Sequence, residues 1–145
     1  MIQRIQTVWL FIAALVNSGL LFFDQYRADI VTDGQTIRHS LKVTDHYPSL
    51  LIALVITILP LVIIFMYKQR SRQRTLAALC IVFNIGFVAN TLMRVGNYMN
   101  QPVAPTNGSY WIGSVLPVIS MIFLFLAIRG IGKDEKLVKS LDRLR

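Results

Sequence analysis

Four long apolar runs, separated by polar segments, set the plan of the chain. They predict membrane-spanning helices over about residues 5–23, 48–67, 75–94 and 110–129, with a polar tail over residues 130–145. The clearest run, residues 50–67, holds eighteen residues without a charge, which is about the minimum that crosses a hydrocarbon core of roughly 30 Å at about 1.5 Å per residue. The pattern predicts an all-α fold, a four-helix transmembrane bundle that forms a single domain.

The polar segment between the first two runs carries a hairpin signal. Asp33-Gly34 favours a type I′ turn, because both central positions of that turn need a positive φ. Ile30-Val31 precedes the turn and Thr36-Ile37 follows it, and β-branched residues favour strands. We predict a β-hairpin that stands on the membrane, with an irregular loop as the alternative.

Two prolines fall at informative places in the second run. Tyr47-Pro48 opens it, and a proline in the first helical turn loses no hydrogen bond. Pro60 lies inside the run, where it removes a backbone hydrogen bond and predicts a kink. Membrane helices tolerate such a proline when a neighbouring group satisfies the carbonyl that the proline frees.

The third and fourth spans are predicted to be joined by a loop. Arg94 ends the third run, and a stretch rich in glycine, asparagine and proline follows from Gly96 to Ser109. Tyr110-Trp111 then opens the fourth run, where interfacial aromatic residues are expected. At the outer end of its helix, Arg94 is expected to reach the lipid headgroups or to meet Asp24 or Asp45.

Charge predicts the orientation of the spans. The net charge is +8, but the basic excess lies beside the apolar runs, which argues against nucleic-acid binding. Eleven of the 15 basic residues belong to the N-terminus, the 68–74 segment and the tail. Because basic residues are enriched on the cytoplasmic side, both termini are predicted to be cytoplasmic and the hairpin periplasmic.

The sequence offers no set of residues for catalysis. No Asp or Glu lies within a predicted span, although a proton- or sodium-coupled transporter usually needs an ionisable group at membrane depth. His39 and His46 both fall in the first polar segment, which argues against haem ligation between the helices. Cys80 is the single cysteine, so the chain has no pair for disulfide chemistry. We predict no enzyme, no catalytic residue, no metal and no cofactor.

Three asparagines lie in the predicted spans: Asn17, Asn84 and Asn90. Each is expected to form hydrogen bonds between helices, worth about 0.6–2 kcal/mol in a bilayer. Asn84 and Asn90 lie roughly 120° apart around a helix of about 100° per residue, so they are expected to face different neighbours. The alternative is a polar, ligand-binding pocket lined by these side chains.

The tail predicts an amphipathic helix from Asp134 onward. Its apolar face is formed by Leu137, Val138, Leu141 and Leu144. Either the inner leaflet or a protein groove could cover this face. Three acidic residues in the tail oppose binding to anionic lipids, whereas a protein partner or the basic 68–74 segment could use them. The candidate interaction residues are therefore Leu137, Leu141, Asp142 and Leu144.

Both ends of the chain resemble a known family. The tail sequence DEKLVKSLDRLR, residues 134–145, resembles the closing motif of an uncharacterised family of small bacterial integral membrane proteins, a domain of unknown function. The opening MIQRIQTVWL is similar to the start of that family, and Tyr47-Pro48 to the start of its second helix. The resemblance implies a four-helix protein of the cytoplasmic (inner) membrane of Gram-negative bacteria. It implies no activity and no substrate.

Two functional classes fit these observations. The first is a non-catalytic accessory or scaffold subunit that meets a protein partner through the tail, the periplasmic segment or both. The second is a carrier that binds a small molecule or a lipid between the helices. A dry, packed interior would favour the scaffold, and a buried polar cavity would favour the carrier.

Overall fold

The computed structural model describes residues 5–32, 35–67, 69–101 and 105–142. The described residues form four α-helices and three β-strands. In chain order these elements are α1 (Ile5–Ser18), β1 (Tyr26–Thr32), β2 (Gln35–Leu41), α2 (Tyr47–Phe65), α3 (Arg70–Met99), β3 (Thr106–Tyr110) and α4 (Ile112–Asp142). Two 3-10 turns, Gly19–Leu21 and Val43–Asp45, follow α1 and precede α2. The prediction of four helices is confirmed, and the all-α class must be extended by a small sheet.

The four helices pack in a ring. Helix α1 lies against α2 and α4, and α3 lies against the same two helices. Two apolar clusters fill the space between them. One contains Leu10, Ala13, Ile63, Ala77, Cys80, Leu124 and Ala127. The other contains Leu20, Val43, Ala53, Ile56 and Phe87. The alanines at these contacts let neighbouring backbones approach closely, as in helix packing within membranes.

Three of the described helices are long and apolar enough to cross a membrane. Their candidate spans are Tyr47–Phe65, Arg70–Met99 and Ile112–Lys136. The apolar segment Ile5–Leu21 is shorter. Large apolar side chains point outward from these helices; Phe65 and Val82, for example, are 80% and 61% exposed. Such an outward apolar surface suits a lipid environment and not water.

The predicted hairpin is present. Strands β1 and β2 pair antiparallel from Tyr26 opposite Leu41 to Thr32 opposite Gln35. The predicted turn, Asp33-Gly34, lies outside the described residues. This register puts Tyr26, Ala28 and Ile30 on one face of the sheet and Arg27 and Asp29 on the other.

A third strand lies in the stretch that the sequence predicted to be a loop. Strand β3 pairs antiparallel with β1, so the strand order is β2-β1-β3. Gly108 was predicted to lie in the loop, but it belongs to β3, and a Cβ at this position would overlap the Tyr26 hydroxyl. Tyr110 consequently ends a strand, and α4 begins at Ile112.

Helix α3 extends beyond the predicted span at both ends. It begins at Arg70, because Arg, Gln and Ser are compatible with a helix that continues into water. Gly96 and Asn97 were predicted to start a loop, and this prediction is wrong, since both lie inside α3. The buried side chains of Val95 and Tyr98 pack against the sheet and hold this last turn in place.

The tail is a continuation of α4 and not a separate helix. Helix α4 runs without interruption from Ile112 to Asp142, through Gly130 and Gly132. Ile131 is fully buried. Gly130 lies close to α1, since a Cβ added to it would be 3.2 Å from the Cβ of Gln6. This contact with α1 fixes the direction of the tail, so the two glycines do not end the helix.

Candidate functional site

Polar side chains gather where the sheet meets α2 and α3. We define the Gln25 cluster as Gln25, Ser49, Asn90, Thr91 and Arg94. Gln25 directly precedes β1 and is only 1% exposed. Its amide Nε2 donates to Thr91 Oγ1 at 3.2 Å, and its Oε1 accepts from Arg94 Nη1 at 3.3 Å. The buried amide therefore uses both of its ends to bind α3.

The Ser49 hydroxyl is the second junction of the Gln25 cluster. It accepts from Asn90 Nδ2 at 2.7 Å and from Arg94 Nη1 at 3.4 Å, and it lies 2.9 Å from His46 Nδ1. His46 Nδ1 also accepts from the Ser49 backbone N–H, which caps the start of α2. Ser49 therefore connects two residues of α3 to the residue that caps α2.

Arg94 links three separate segments. Besides Gln25 and Ser49, its Nη1 donates to the Lys42 carbonyl at 3.2 Å. Of the two predicted carboxylate partners, Asp24 pairs with Arg27 instead. Asp45 accepts from the Lys42 backbone N–H and also interacts electrostatically with Arg94. Because a hydrogen-bonded polar network in a low-dielectric site holds its members in one arrangement, the cluster fixes the first polar segment onto the helices.

Aromatic side chains hold the inner face of the sheet on α3. Tyr26 meets Tyr98 and Tyr110 edge-to-face, with ring centroids 6.4 Å and 5.3 Å apart. His39 stacks on the Tyr98 ring, with the ring centroids 5.5 Å apart. The two histidines of the first polar segment thus have structural contacts, His39 with α3 and His46 at the start of α2.

Between the two apolar clusters the helices contribute buried polar residues. Asn17 Nδ2 donates to the Ile56 carbonyl on α2 at 2.9 Å. Asn84 Nδ2 donates to the Cys80 carbonyl at 2.8 Å, so its bond stays within α3 and does not cross to another helix. Ser120 Oγ bonds the Ala13 carbonyl at 3.3 Å. Among the described residues, the amide oxygens of Asn17 and Asn84 have no hydrogen-bond partner.

The opposite end of the helices is closed by contacts between the start of α3 and the tail. Arg70 Nη1 donates to the Asp134 carbonyl at 2.9 Å, and Arg74 Nη1 lies 3.9 Å from Glu135 Oε2. This arrangement matches one of the alternatives for the acidic tail residues, docking onto the basic 68–74 segment. Leu144 lies outside the described part of the chain, and so do the side chains of three other candidate interaction residues, Leu137, Leu141 and Asp142.

A family comparison accounts for almost the whole chain. Residues 2–144 match the family described as a domain of unknown function, DUF4293. The chain belongs to this family. The resemblance to an uncharacterised family, inferred from the two ends of the sequence, is confirmed. No curated protein and no solved structure matches this member of the family.

Sequence reasoning missed most of the Gln25 cluster in this family member. Gln25 lies in a polar segment, where a glutamine is normally solvated, and Thr91 is unremarkable in a helix. The one available signal was Arg94 together with Asn90 on the last turns of an apolar run, since a membrane helix rarely carries polar groups without partners. Their partners, Gln25 and Ser49, are separated from Arg94 by 69 and 45 residues, which no local pattern reveals.

Proposed function

We propose that the chain is a multi-pass protein of the bacterial cytoplasmic membrane, a four-helix transmembrane bundle with both termini in the cytoplasm and the sheet in the periplasm. The basic residues of the 68–74 segment and the tail support this orientation. Helix α1 is short, but it packs against both α2 and α4, which are long enough to cross. We infer from this packing that α1 crosses together with α2 and α4.

Within this topology the protein is a non-catalytic accessory or scaffold subunit that presents the sheet to a protein partner. The observation that carries this proposal is the Gln25 cluster. A segment that only connects two spans needs no buried amide and no three-way arginine contact. Fixing the sheet to α2 and α3 gives it a constant position relative to the bilayer, which lowers the ordering cost of binding a partner.

Strand β2 is the favoured contact for the partner. It lies at the edge of the sheet, and edge strands with unpaired backbone groups accept an added strand. Ile37 on β2 and Val31 on β1 are 57% and 52% exposed. By contrast, the start of the tail already contacts Arg70 and Arg74. We therefore place the partner at the sheet and not at residues 134–135.

A carrier that binds its ligand between the helices is the second candidate. The buried oxygens Asn17 Oδ1 and Asn84 Oδ1 favour it, because each can accept from an N–H or O–H group of a ligand. The packing favours the scaffold, since Phe87, Ile56 and Leu124 are fully buried and fill the ring of helices. The scaffold is therefore the first proposal.

Site-specific photo-crosslinking in living cells tests the scaffold. A photoreactive residue at Ile37 is expected to form a discrete adduct with a protein, and the same residue at the outward-facing Val82 is expected to capture lipid. Gln25→Ala should weaken the adduct at Ile37 because it loosens the sheet, whereas the matched polar substitution Asn84→Ala should not. If Ile37 and Val82 give the same products, the sheet does not bind a partner.

A further inference from the structure

A charged cleft lies on the outer face of the sheet, away from α3. It has a volume of about 180 Å³ and is lined by Arg27, Ala28, Asp29, Arg38, Asn107, Ser109 and Trp111. The cleft is too small for most drug-sized ligands, which need roughly 300 Å³ or more, but it can hold one polar group.

Both arginines of the cleft are held by contacts that leave donors available. Arg27 Nε donates to Asp24 Oδ2 at 2.8 Å, and its guanidinium lies 4.1 Å from the centroid of the Trp111 ring. Arg38 Nε donates across the strands to Asp29 Oδ1 at 3.4 Å. Each arginine uses only Nε in these bonds, so among the described residues its Nη groups have no hydrogen-bond partner.

The free donors of the cleft suit an anion. Each arginine already has one carboxylate beside it, Asp24 for Arg27 and Asp29 for Arg38, so the attraction for an anion comes from the Nη donors and not from an excess of positive charge. Planar guanidinium groups bind phosphate oxygens through paired N–H donors, which gives Arg its preference for phosphate. Ser109 adds a hydroxyl to the same lining. A phosphodiester has two unesterified oxygens that match these donors.

The position of the cleft indicates the source of that phosphodiester. Exposed aromatic residues collect at this end of the helices: Phe22, Phe23, Tyr47, Tyr110 and Trp111. Exposed aromatic side chains at the ends of apolar helices lie at the level of the lipid headgroups. Trp111 belongs both to this group and to the cleft, and α4 enters its apolar run directly after it. The cleft consequently opens at headgroup height.

We propose that Arg27, Arg38 and Trp111 form a binding site for the phosphodiester headgroup of a phospholipid. Free inorganic phosphate presents similar oxygens but lacks the acyl chains that anchor a lipid beside the cleft. The site would tie the sheet to the bilayer surface, and it does not depend on a protein partner. It depends only on the chain spanning a membrane.

Tryptophan fluorescence of the full chain in maltoside detergent tests this site. The chain has two tryptophans, so a Trp9→Phe background leaves Trp111 as the single reporter. Short-chain phosphatidylglycerol is expected to change the emission of Trp111 saturably. The matched diacylglycerol, which lacks the phosphodiester, should give no saturable change, and inorganic phosphate should require at least a tenfold higher concentration.

Substitution of Arg38 provides the specific variant. Its side chain is 75% exposed, so Arg38→Gln should leave the fold intact while it weakens phosphatidylglycerol binding at least tenfold. The matched control is Arg72→Gln, which removes the same charge from an exposed arginine at the other end of α3. Equal affinities of the two variants would overturn the site. Inorganic phosphate that binds as tightly as phosphatidylglycerol would overturn the lipid as its ligand.

Discussion

Asn17 donates its side-chain N–H to the carbonyl of Ile56, the acceptor that Pro60 leaves without its helical partner. In a regular helix the carbonyl of residue 56 accepts from the N–H of residue 60, and proline has no N–H. The Nδ2–O distance of 2.9 Å is that of a good hydrogen bond. Asn17 of α1 therefore supplies the hydrogen bond that α2 lacks at Pro60. The two residues are energetically coupled although they are 43 positions apart in the sequence.

This coupling predicts that the effects of substitutions at Asn17 and Pro60 on the free energy of unfolding are not additive. Asn17→Ala leaves the buried Ile56 carbonyl without a donor and should destabilise the fold by about 1–3 kcal/mol. In a Pro60→Ala background the helix supplies its own N–H, so Asn17→Ala should cost at least about 1 kcal/mol less. Reversible unfolding in mixed micelles measures both values. As the control, Asn84→Ala should show the same cost in either background, because its bond stays within α3. If the losses of stability caused by Asn17→Ala and Pro60→Ala are additive, Asn17 does not replace the hydrogen bond that Pro60 removes.

Gly113 offers a second test, of the contact between α4 and the first polar segment. Its backbone N–H donates to the Asp24 carbonyl at 2.9 Å, and an added Cβ would lie 2.5 Å from that same oxygen. Because the obstructing atoms belong to backbone, Gly113→Ala should destabilise the fold by about 1–3 kcal/mol.

Gly96→Ala is the matched control for Gly113→Ala. Gly96 lies in α3, and an added Cβ there meets nothing within 4 Å. The alanine should stabilise the helix by about 0.5–1 kcal/mol, because glycine loses more backbone entropy on folding. Thermal unfolding of the two variants should therefore shift in opposite directions, and a shift of equal sign would contradict the close approach at Gly113.

The sequence predicted the presence of the helices better than it predicted their ends. A run of apolar residues shows which part of a chain can lie in lipid, but a helix can continue beyond that run. Apolar runs mark where a chain can lie in a bilayer, whereas α3 continues to Met99 because Val95 and Tyr98 pack on the sheet. The pairing of β1 with β2 was predictable from the Asp-Gly signal in the sequence and its β-branched flanks. Strand β3 was not, because its residues, including Asn107 and Gly108, favour loops and pair only because β1 offers an edge.

The polar contacts were only partly predictable for a related reason. Asn17 and Pro60 stand out in apolar runs, and the sequence indicates that each needs a partner. Gln25 does not stand out, because a glutamine in a polar segment carries no sign that it will be buried. Which distant groups meet depends on how the helices pack around the sheet, and the sequence pattern contains no direct record of that packing.

Loss of Arg94 should loosen the sheet without unfolding the helices. Arg94→Met removes a donor from the buried Gln25 Oε1, so amide exchange over Tyr26–Thr32 should become about tenfold faster for each 1.4 kcal/mol lost. Arg94→Lys should accelerate amide exchange less, because an ammonium group can replace some but not all of the N–H donors of the planar guanidinium. Arg38→Met, at an exposed position on the sheet, is the control. Unchanged exchange in Arg94→Met would show that the Gln25 cluster does not hold the sheet.

Single-cysteine labelling tests the proposed topology. Cys80 is the only cysteine and is buried, so Cys80→Ala gives a background without thiols. Thr36→Cys on β2 and Gln69→Cys between α2 and α3 place thiols at exposed positions on opposite ends of the helices. Because basic residues concentrate beside Gln69, a membrane-impermeant maleimide should label Thr36→Cys in spheroplasts and label Gln69→Cys only after lysis.

Lys136→Cys, exposed near the end of α4, should behave like Gln69→Cys, because the start of the tail contacts Arg70 and Arg74 on the same side. Labelling of Gln69→Cys in intact spheroplasts would reverse the orientation. Labelling of Lys136→Cys but not Gln69→Cys would contradict the contact between the tail and α3.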